Sequence, residues 1–132
     1  MAIRVVRLGT PRLAGEGLRV GTVRRPPRGV PKERFAADDW YDVWLPQLAP
    51  SAELVKEGLG AATPADWKRF VRRYRSEMAS PDNARLIAFL AALSHGADLS
   101  VGCYCEDEAR CHRSVLRELL AEEGAALAGD PP

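Results

Sequence analysis

LSVGCYCEDEARCHRSVLRELLAEE, residues 99–123, is the stretch that decides the fold. Its first seven residues, 99–105, have the composition of a buried β-strand. Residues 112–123 then repeat apolar side chains at helical spacing, and Gly124 ends the pattern. Ligands bind open α/β sheets at the carboxyl ends of the strands, where helix N-termini also point. The junction between this strand and this helix is therefore the predicted site.

Three more helices are predicted upstream of this unit. Each begins at a serine or threonine that can cap it, and the longest has a Thr-Pro-Ala-Asp capping box with proline at its first helical position. Apolar side chains then recur at helical spacing, which indicates one buried face for each helix. The predicted helices cover residues 51–58, 64–79 and 81 to about Gly96.

Two short strands are predicted near the N-terminus, over residues 3–8 and 19–24. Because only about ten residues separate them, the spacing favours a hairpin over a parallel crossover that contains a helix. Residues 25–39 contain three prolines and predict a loop. The expected fold is a single α/β domain over residues 1–132, with at least three strands and about four helices. Its ordered core spans about 3–124, and the tail GDPP is expected to fray.

Composition narrows the class of protein. The chain has 132 residues, of which 46% are hydrophobic and 28% charged, and this composition excludes intrinsic disorder. No run approaches the roughly 20 apolar residues that span a bilayer. The three cysteines are an odd number and no export signal precedes them, which favours reduced thiols and a cytoplasmic location.

Charge is distributed unevenly along the chain. Residues 1–35 carry nine basic and two acidic side chains, whereas the remainder is net acidic. Such a split is typical of two faces of one domain that attract each other, or of an anion site supplied by N-terminal arginines. Arg24 and Arg28 follow the second predicted strand and would approach the last strand if the two are parallel.

All three cysteines lie in the strand-to-helix junction. Cys103 and Cys105 point to one side of the strand because side chains alternate along it. Cys111 and His112 stand at the start of the helix, where backbone N–H groups and the helix dipole favour a thiolate or a bound anion. We therefore predict a functional site here, although Cys103 alone has the features of an ordinary buried strand residue.

Three interpretations of this cluster remain open. A thiol site would use Cys105 or Cys111 as nucleophile. An anion site would use the helix N-terminus with Arg113 and Ser114. A zinc site has enough ligands, but a Cys-x-Cys followed by adjacent Cys-His matches none of the usual ligand spacings. The zinc ligands would be Cys103, Cys105, Cys111 and His112.

The segment GCYCEDEARCHRSVLRELL, residues 102–120, resembles the C-terminal signature of the YeaO-like family, a small domain of unknown function. Members of that family end with a strand, a Cys-Glu pair, a Cys-His-Arg turn and a helix. The similarity continues upstream through RVGTVRRPPRG and DDWYDVWLPQLAPS to Trp67 and Tyr74, and covers about residues 3–122. Two positions depart from the family pattern. The family often has an acidic residue at the position of Val23 and a tryptophan at the position of Pro26. The resemblance implies the fold and the location of the site.

The leading functional prediction is a small cytoplasmic enzyme or binding protein for an anionic, phosphate-bearing or nucleotide-like small molecule. The alternatives are a nucleic-acid-associated module that uses the basic face of helix 64–79, and a structural zinc protein. In the leading interpretation we expect no cofactor and assign no metal ligand. We also expect no contact with a membrane, and the oligomeric state is left open. The candidate catalytic residues are Cys105, Glu106, Cys111 and His112, and the candidate substrate-binding residues are Arg24, Arg28, Arg113 and Ser114.

Overall fold

A four-stranded parallel sheet forms the centre of the computed structural model, which describes residues 1–128. The order of the strands is β1-β4-β2-β3, and all three neighbouring pairs are parallel. This architecture confirms the predicted α/β class. The strands are β1 (Ile3–Arg7), β2 (Leu18–Gly21), β3 (Val43–Trp44) and β4 (Leu99–Cys103).

The hairpin predicted between the first two strands is wrong. β1 and β2 both pair with β4, which lies between them, so that Leu99 is opposite both Ile3 and Leu18. The physical reason is that every residue of β4 is buried, and such a strand satisfies its backbone groups only with a neighbour on each side. Residues 8–17 therefore connect two parallel strands without an intervening helix.

The chain forms four α-helices, as predicted, with boundaries within three residues of those expected; three of them lie between β3 and β4, and the fourth follows β4. The capping box is present, because Thr63 Oγ1 accepts from the Asp66 N–H and the Asp66 carboxylate accepts from the Thr63 N–H. Ser51 also caps its helix. The helices are α1 (Ala52–Leu59), α2 (Pro64–Met78), α3 (Pro81–Leu93) and α4 (His112–Glu122).

The main hydrophobic core lies between the helices and one face of the sheet. Strand residues on that face, including Val20 and Val101, pack with Phe70, Tyr74 and Leu116 from the helices. Residues 126–128 lie along β1, the edge strand farthest from β3. The Ile3 N–H donates to Ala126 O, and the Ala128 N–H donates to Ile3 O. The tail GDPP, predicted to fray, lies outside the described residues.

An ion pair is buried under the loops on the other side of the sheet. Arg19 is 0% and Glu16 2% exposed, and two hydrogen bonds of 2.8 Å join the guanidinium to the carboxylate. Arg19 Nη1 also donates to the carbonyls of Thr10 and Asp39, and Ser100 Oγ donates to Glu16. Burial opposes ionisation of Glu16, but the hydrogen bonds and charge of Arg19, together with hydrogen bonds from the Leu13 N–H and Ser100, outweigh it and lower the pKa of the carboxyl. This arginine is therefore a structural cation.

None of the helices within residues 1–128 is long and apolar enough to cross a membrane.

Glu16→Gln should lower the free energy of unfolding at pH 7 by about 3–5 kcal/mol, because it leaves the buried Arg19 charge without a counter-charge. Urea unfolding measures this loss. Because the pKa of Glu16 is lowered on folding, the wild-type advantage is present above the unfolded value of about 4.3 and declines as the pH falls below it. Glu53→Gln, on the exposed side of α1, is the control. A difference of the same size at pH 3 and pH 7 would contradict the argument.

Candidate functional site

The connection between β4 and α4 brings the three cysteines together. β4 ends at Cys103, and a short 3₁₀ turn, Glu108–Arg110, precedes Cys111. Cys111 is the N-cap residue of α4 and has an extended backbone (φ −126°, ψ 150°), so that the helix begins at His112. The chain therefore leaves the sheet at Cys103 and returns to the same end of β4 at Cys111.

The sulfur atoms form a compact group. Cys103 Sγ and Cys105 Sγ are 3.8 Å apart, and all three cysteines are free thiols. Cys103 and Cys111 are buried, whereas Cys105 is half-buried. The donor atoms of Cys103, Cys111 and His112 lie within 4.8 Å of one another, so these three residues could hold a metal ion, with Cys105 beside them.

His112 is fixed in one orientation by β2. Its Nε2 lies 2.7 Å from Thr22 O, which can only accept, so Nε2 carries a proton. The Thr22 hydroxyl, 3.2 Å from the same nitrogen, donates to Gly102 O. In the neutral ring the other nitrogen, Nδ1, keeps a lone pair and lies 3.7 Å from Cys111 Sγ. The Tyr74 ring packs against the imidazole with centroids 5.5 Å apart.

Arg113 bridges the two ends of the connection. Its Nε donates to Cys111 Sγ at 3.4 Å, and its Nη2 donates to Cys105 O at 2.5 Å. The side chain is only 3% exposed. A guanidinium is always charged in proteins, so this contact places a full positive charge among the thiols.

The thiols differ in their tendency to ionise. Hydrogen bonds from the Cys103 and Cys111 thiols, together with the charge of Arg113, lower the pKa of Cys105 to about 3. The same sulfur–sulfur contacts and burial raise the pKa of Cys103. The pKa of Cys111 is lowered, mainly by Cys103 and further by His112. Negative charge in the cluster is therefore favoured on Cys105 and Cys111 and opposed on Cys103.

The remaining predicted site residues occupy different places. Ser114 Oγ donates to Cys111 O at 2.9 Å, at the first turn of α4. Glu106 is exposed and lies 3.6 Å from Arg7. Arg24 donates to three backbone carbonyls of residues 46–50, and Arg28 is exposed on its loop. The structure thus brings Cys105, Cys111, His112, Arg113 and Ser114 together, whereas Arg24 anchors a neighbouring loop from the same end of the sheet.

Sequence patterns did not identify two contributors to the site. Thr22 orients His112, and the only signal for it is a hydroxyl residue after a strand that ends beside Cys103. Tyr74 lies in the main hydrophobic core on α2, and its ring also contacts His112. The Thr22 contact depends on which strands are neighbours, and the predicted hairpin would have concealed it, whereas the Tyr74 contact depends on the packing of α2 against α4.

The basic face predicted on α2 is partly neutralised by ion pairs. Arg73 pairs with Glu57 of α1. Arg75 lies 2.8 Å from Glu118 and 2.9 Å from Glu122, both on α4. These ion pairs join α2 to α1 and α4.

The fold and this geometry define a small parallel α/β domain with a thiol, imidazole and guanidinium cluster at the carboxyl end of its central strand. Residues 3–124 match DUF488-N3a, described as the active DUF488-N3 subclade, and the chain belongs to this family. Membership of a family of unknown function agrees with the resemblance drawn from the sequence, while the narrower YeaO-like name stays a prediction. Searches for relatives among curated proteins and among solved structures find no match.

Iodoacetamide should modify Cys105 at least about ten times faster than Cys103 or Cys111 in the folded, chelator-treated chain, because Cys105 alone of the three is half-exposed. Peptide mapping by mass spectrometry measures the three rates. Cys105→Ser should leave a folded chain that is alkylated slowly until urea unfolds it. Equal rates at all three positions in the folded protein would show that the described burial is wrong.

Proposed function

We propose that this chain is an enzyme or binding protein for an anionic small molecule, phosphate-bearing or nucleotide-like, at the carboxyl end of β4. The observation that carries the proposal is the Arg113 guanidinium, which is buried at the first turn of α4 and bonded to Cys105 O and Cys111 Sγ. A buried positive charge beside a half-exposed thiol and the N–H groups of an eleven-residue helix favours a negatively charged ligand.

The surrounding residues supply groups for both binding and chemistry. Arg113 and Ser114 hold the anion together with the N-terminal turn of α4, and Arg24 and Arg28 border the same end of the sheet from β2. Cys105 is the accessible nucleophile. His112 can receive a proton at Nδ1, because Thr22 O keeps the other proton at Nε2. Glu106 is the exposed carboxylate at the rim.

Chemistry is favoured over a purely structural role because the half-buried Cys105 thiol lies beside the buried Arg113 guanidinium, which donates to the Cys105 carbonyl. We also propose that the protein is cytoplasmic with reduced thiols. In the same proposal the chain is a single YeaO-like domain over residues 1–132. The nucleic-acid alternative stays a prediction, and the pairing of Arg73 and Arg75 with carboxylates weighs against it. Binding that weakens steeply with salt would be its signature.

Arg113→Ala should weaken binding of inorganic phosphate or nucleoside monophosphates by about tenfold or more, because a hydrogen bond to a charged group contributes about 1.5–3 kcal/mol. Isothermal titration calorimetry on the chelator-treated chain measures the affinity, and circular dichroism verifies the fold. Ser114→Ala, which removes one hydroxyl from the first turn, should weaken binding several-fold without affecting packing.

The matched control is Arg110→Ala, which removes an exposed arginine that lies over the Trp67 ring, three residues before Arg113. Its affinity should stay within about twofold of the wild type, since surface charges contribute little. Unchanged affinity in a folded Arg113→Ala chain would refute the proposal, as would an equal loss in Arg110→Ala. Absence of wild-type binding to every anion tested would refute it as well.

A further inference from the structure

We infer that Cys103, Cys105, Cys111 and His112 form a tetrahedral site for a soft divalent metal ion, of which Zn²⁺ is the representative. This inference goes beyond the anion proposal and does not rest on it, because it concerns the metal-loaded chain, in which Cys105 and His112 are ligands rather than reactive groups. The leading interpretation of the sequence assigned no metal, because adjacent Cys111 and His112 fit no usual ligand spacing. The geometry of the folded chain removes that objection.

Two of the donor separations in the structure fit a tetrahedral zinc ion. Zn–S bonds of about 2.3 Å at tetrahedral angles place two sulfurs about 3.8 Å apart, and a sulfur and a nitrogen about 3.6 Å apart. Cys103 Sγ and Cys105 Sγ are 3.8 Å apart, and Cys111 Sγ and His112 Nδ1 are 3.7 Å apart. The Cys103, Cys111 and His112 donors lie within 4.8 Å of one another, and Cys105 Sγ contacts Cys103 Sγ, so a side-chain shift of Cys105 toward His112 would complete the set.

Local backbone geometry explains how adjacent residues can share one ion. Cys111 is extended as the N-cap residue and His112 is the first residue of α4, so the backbone changes direction between their side chains. Cys103 and Cys105 are separated by one residue, with their sulfur atoms in contact. The end of β4 and the residues just after it thus supply one pair of ligands, and the start of α4 supplies the other.

The contact between His112 and Thr22 is an independent argument. Histidines that bind metals almost always donate their other ring N–H to a carbonyl or carboxylate. His112 Nε2 has this contact at 2.7 Å from Thr22 O, which leaves the Nδ1 lone pair beside the sulfurs. The Thr22 hydroxyl in turn donates to Gly102 O of β4 and holds this support in place.

Charge balance points to the same occupant. A divalent ion with three thiolates and a neutral imidazole has a net charge of −1. In a buried site this charge needs a positive group nearby to compensate it. Arg113 supplies +1 and donates an N–H to Cys111 Sγ. Cys103, Cys111 and His112 are 7%, 2% and 6% exposed, as in closed metal sites that stabilise a fold. The metal-loaded state would therefore protect the thiols that are reactive in the metal-free chain.

The test uses the untagged full chain, stripped with a chelator and titrated with Zn²⁺ or Co²⁺. We expect one equivalent to bind, Co²⁺ to show the visible absorption of a tetrahedral site, and thermal unfolding to shift upwards. Cys105→Ser should keep the fold, because Cys105 is only half-buried, and should reduce the Co²⁺–thiolate charge-transfer absorption by about a third.

His112→Ala should weaken Zn²⁺ binding more than about 100-fold, since even indirect partners of a metal ligand contribute 10–100-fold. His95→Ala is the matched control, because the exposed His95 contacts Gly124 O instead. Sub-stoichiometric binding, an octahedral Co²⁺ spectrum, or equal losses in the two histidine variants would overturn the inference. Phosphate affinity is measured separately on the metal-free chain, so either proposal can fail without the other.

Discussion

The hydrogen bonds of Arg113 hold together the two ends of the connection between β4 and α4. One bond reaches the Cys105 carbonyl just after the strand, and the other reaches the Cys111 sulfur just before the helix. Because the guanidinium is almost fully buried, its charge must be satisfied by groups within this connection. The arrangement of the thiols and the orientation of the helix start follow from that requirement.

The two buried arginines, Arg19 and Arg113, differ in how their charges are compensated. Arg19 meets a carboxylate, Glu16, and its remaining donors reach backbone carbonyls, so its charge is neutralised within the fold. Arg113 meets sulfur and a single carbonyl. The Arg19–Glu16 ion pair is complete within the fold. Arg113 gains a full counter-charge only when the thiols are ionised, when a metal ion is bound to them, or when an anionic ligand is present. This difference separates the structural arginine from the functional one.

Short-range patterns predicted the parts of the fold that depend on local interactions. The capping box at Thr63, the helix that starts after Cys111 and the buried strand before it all follow from residue types at fixed spacing. The neighbours of β4 could not be deduced in this way, because a ten-residue connection suits a hairpin as well as a short parallel crossing. β3, with only two residues, lacks a periodicity that could reveal it.

In the candidate site, too, local sequence patterns predicted some features, whereas others depend on long-range pairing. The grouping of Cys105, Cys111, His112 and Arg113 is evident in the sequence because twelve consecutive residues contain them. The role of Thr22 depends on β2 lying next to β4, and the contacts of Arg24 depend on the path of residues 46–50. Long-range pairing thus determined the partner of His112 and the loop that Arg24 anchors.

The central claim is that an anionic ligand binds at the start of α4. Mapping amide chemical shifts by nuclear magnetic resonance tests it most directly, with ¹⁵N-labelled, metal-free chain titrated with a nucleoside monophosphate. The account predicts that the largest shifts fall on residue 105 and on residues 111–115. Shifts concentrated on the basic face of α2, around residues 68–73, or no shifts at all, would contradict it.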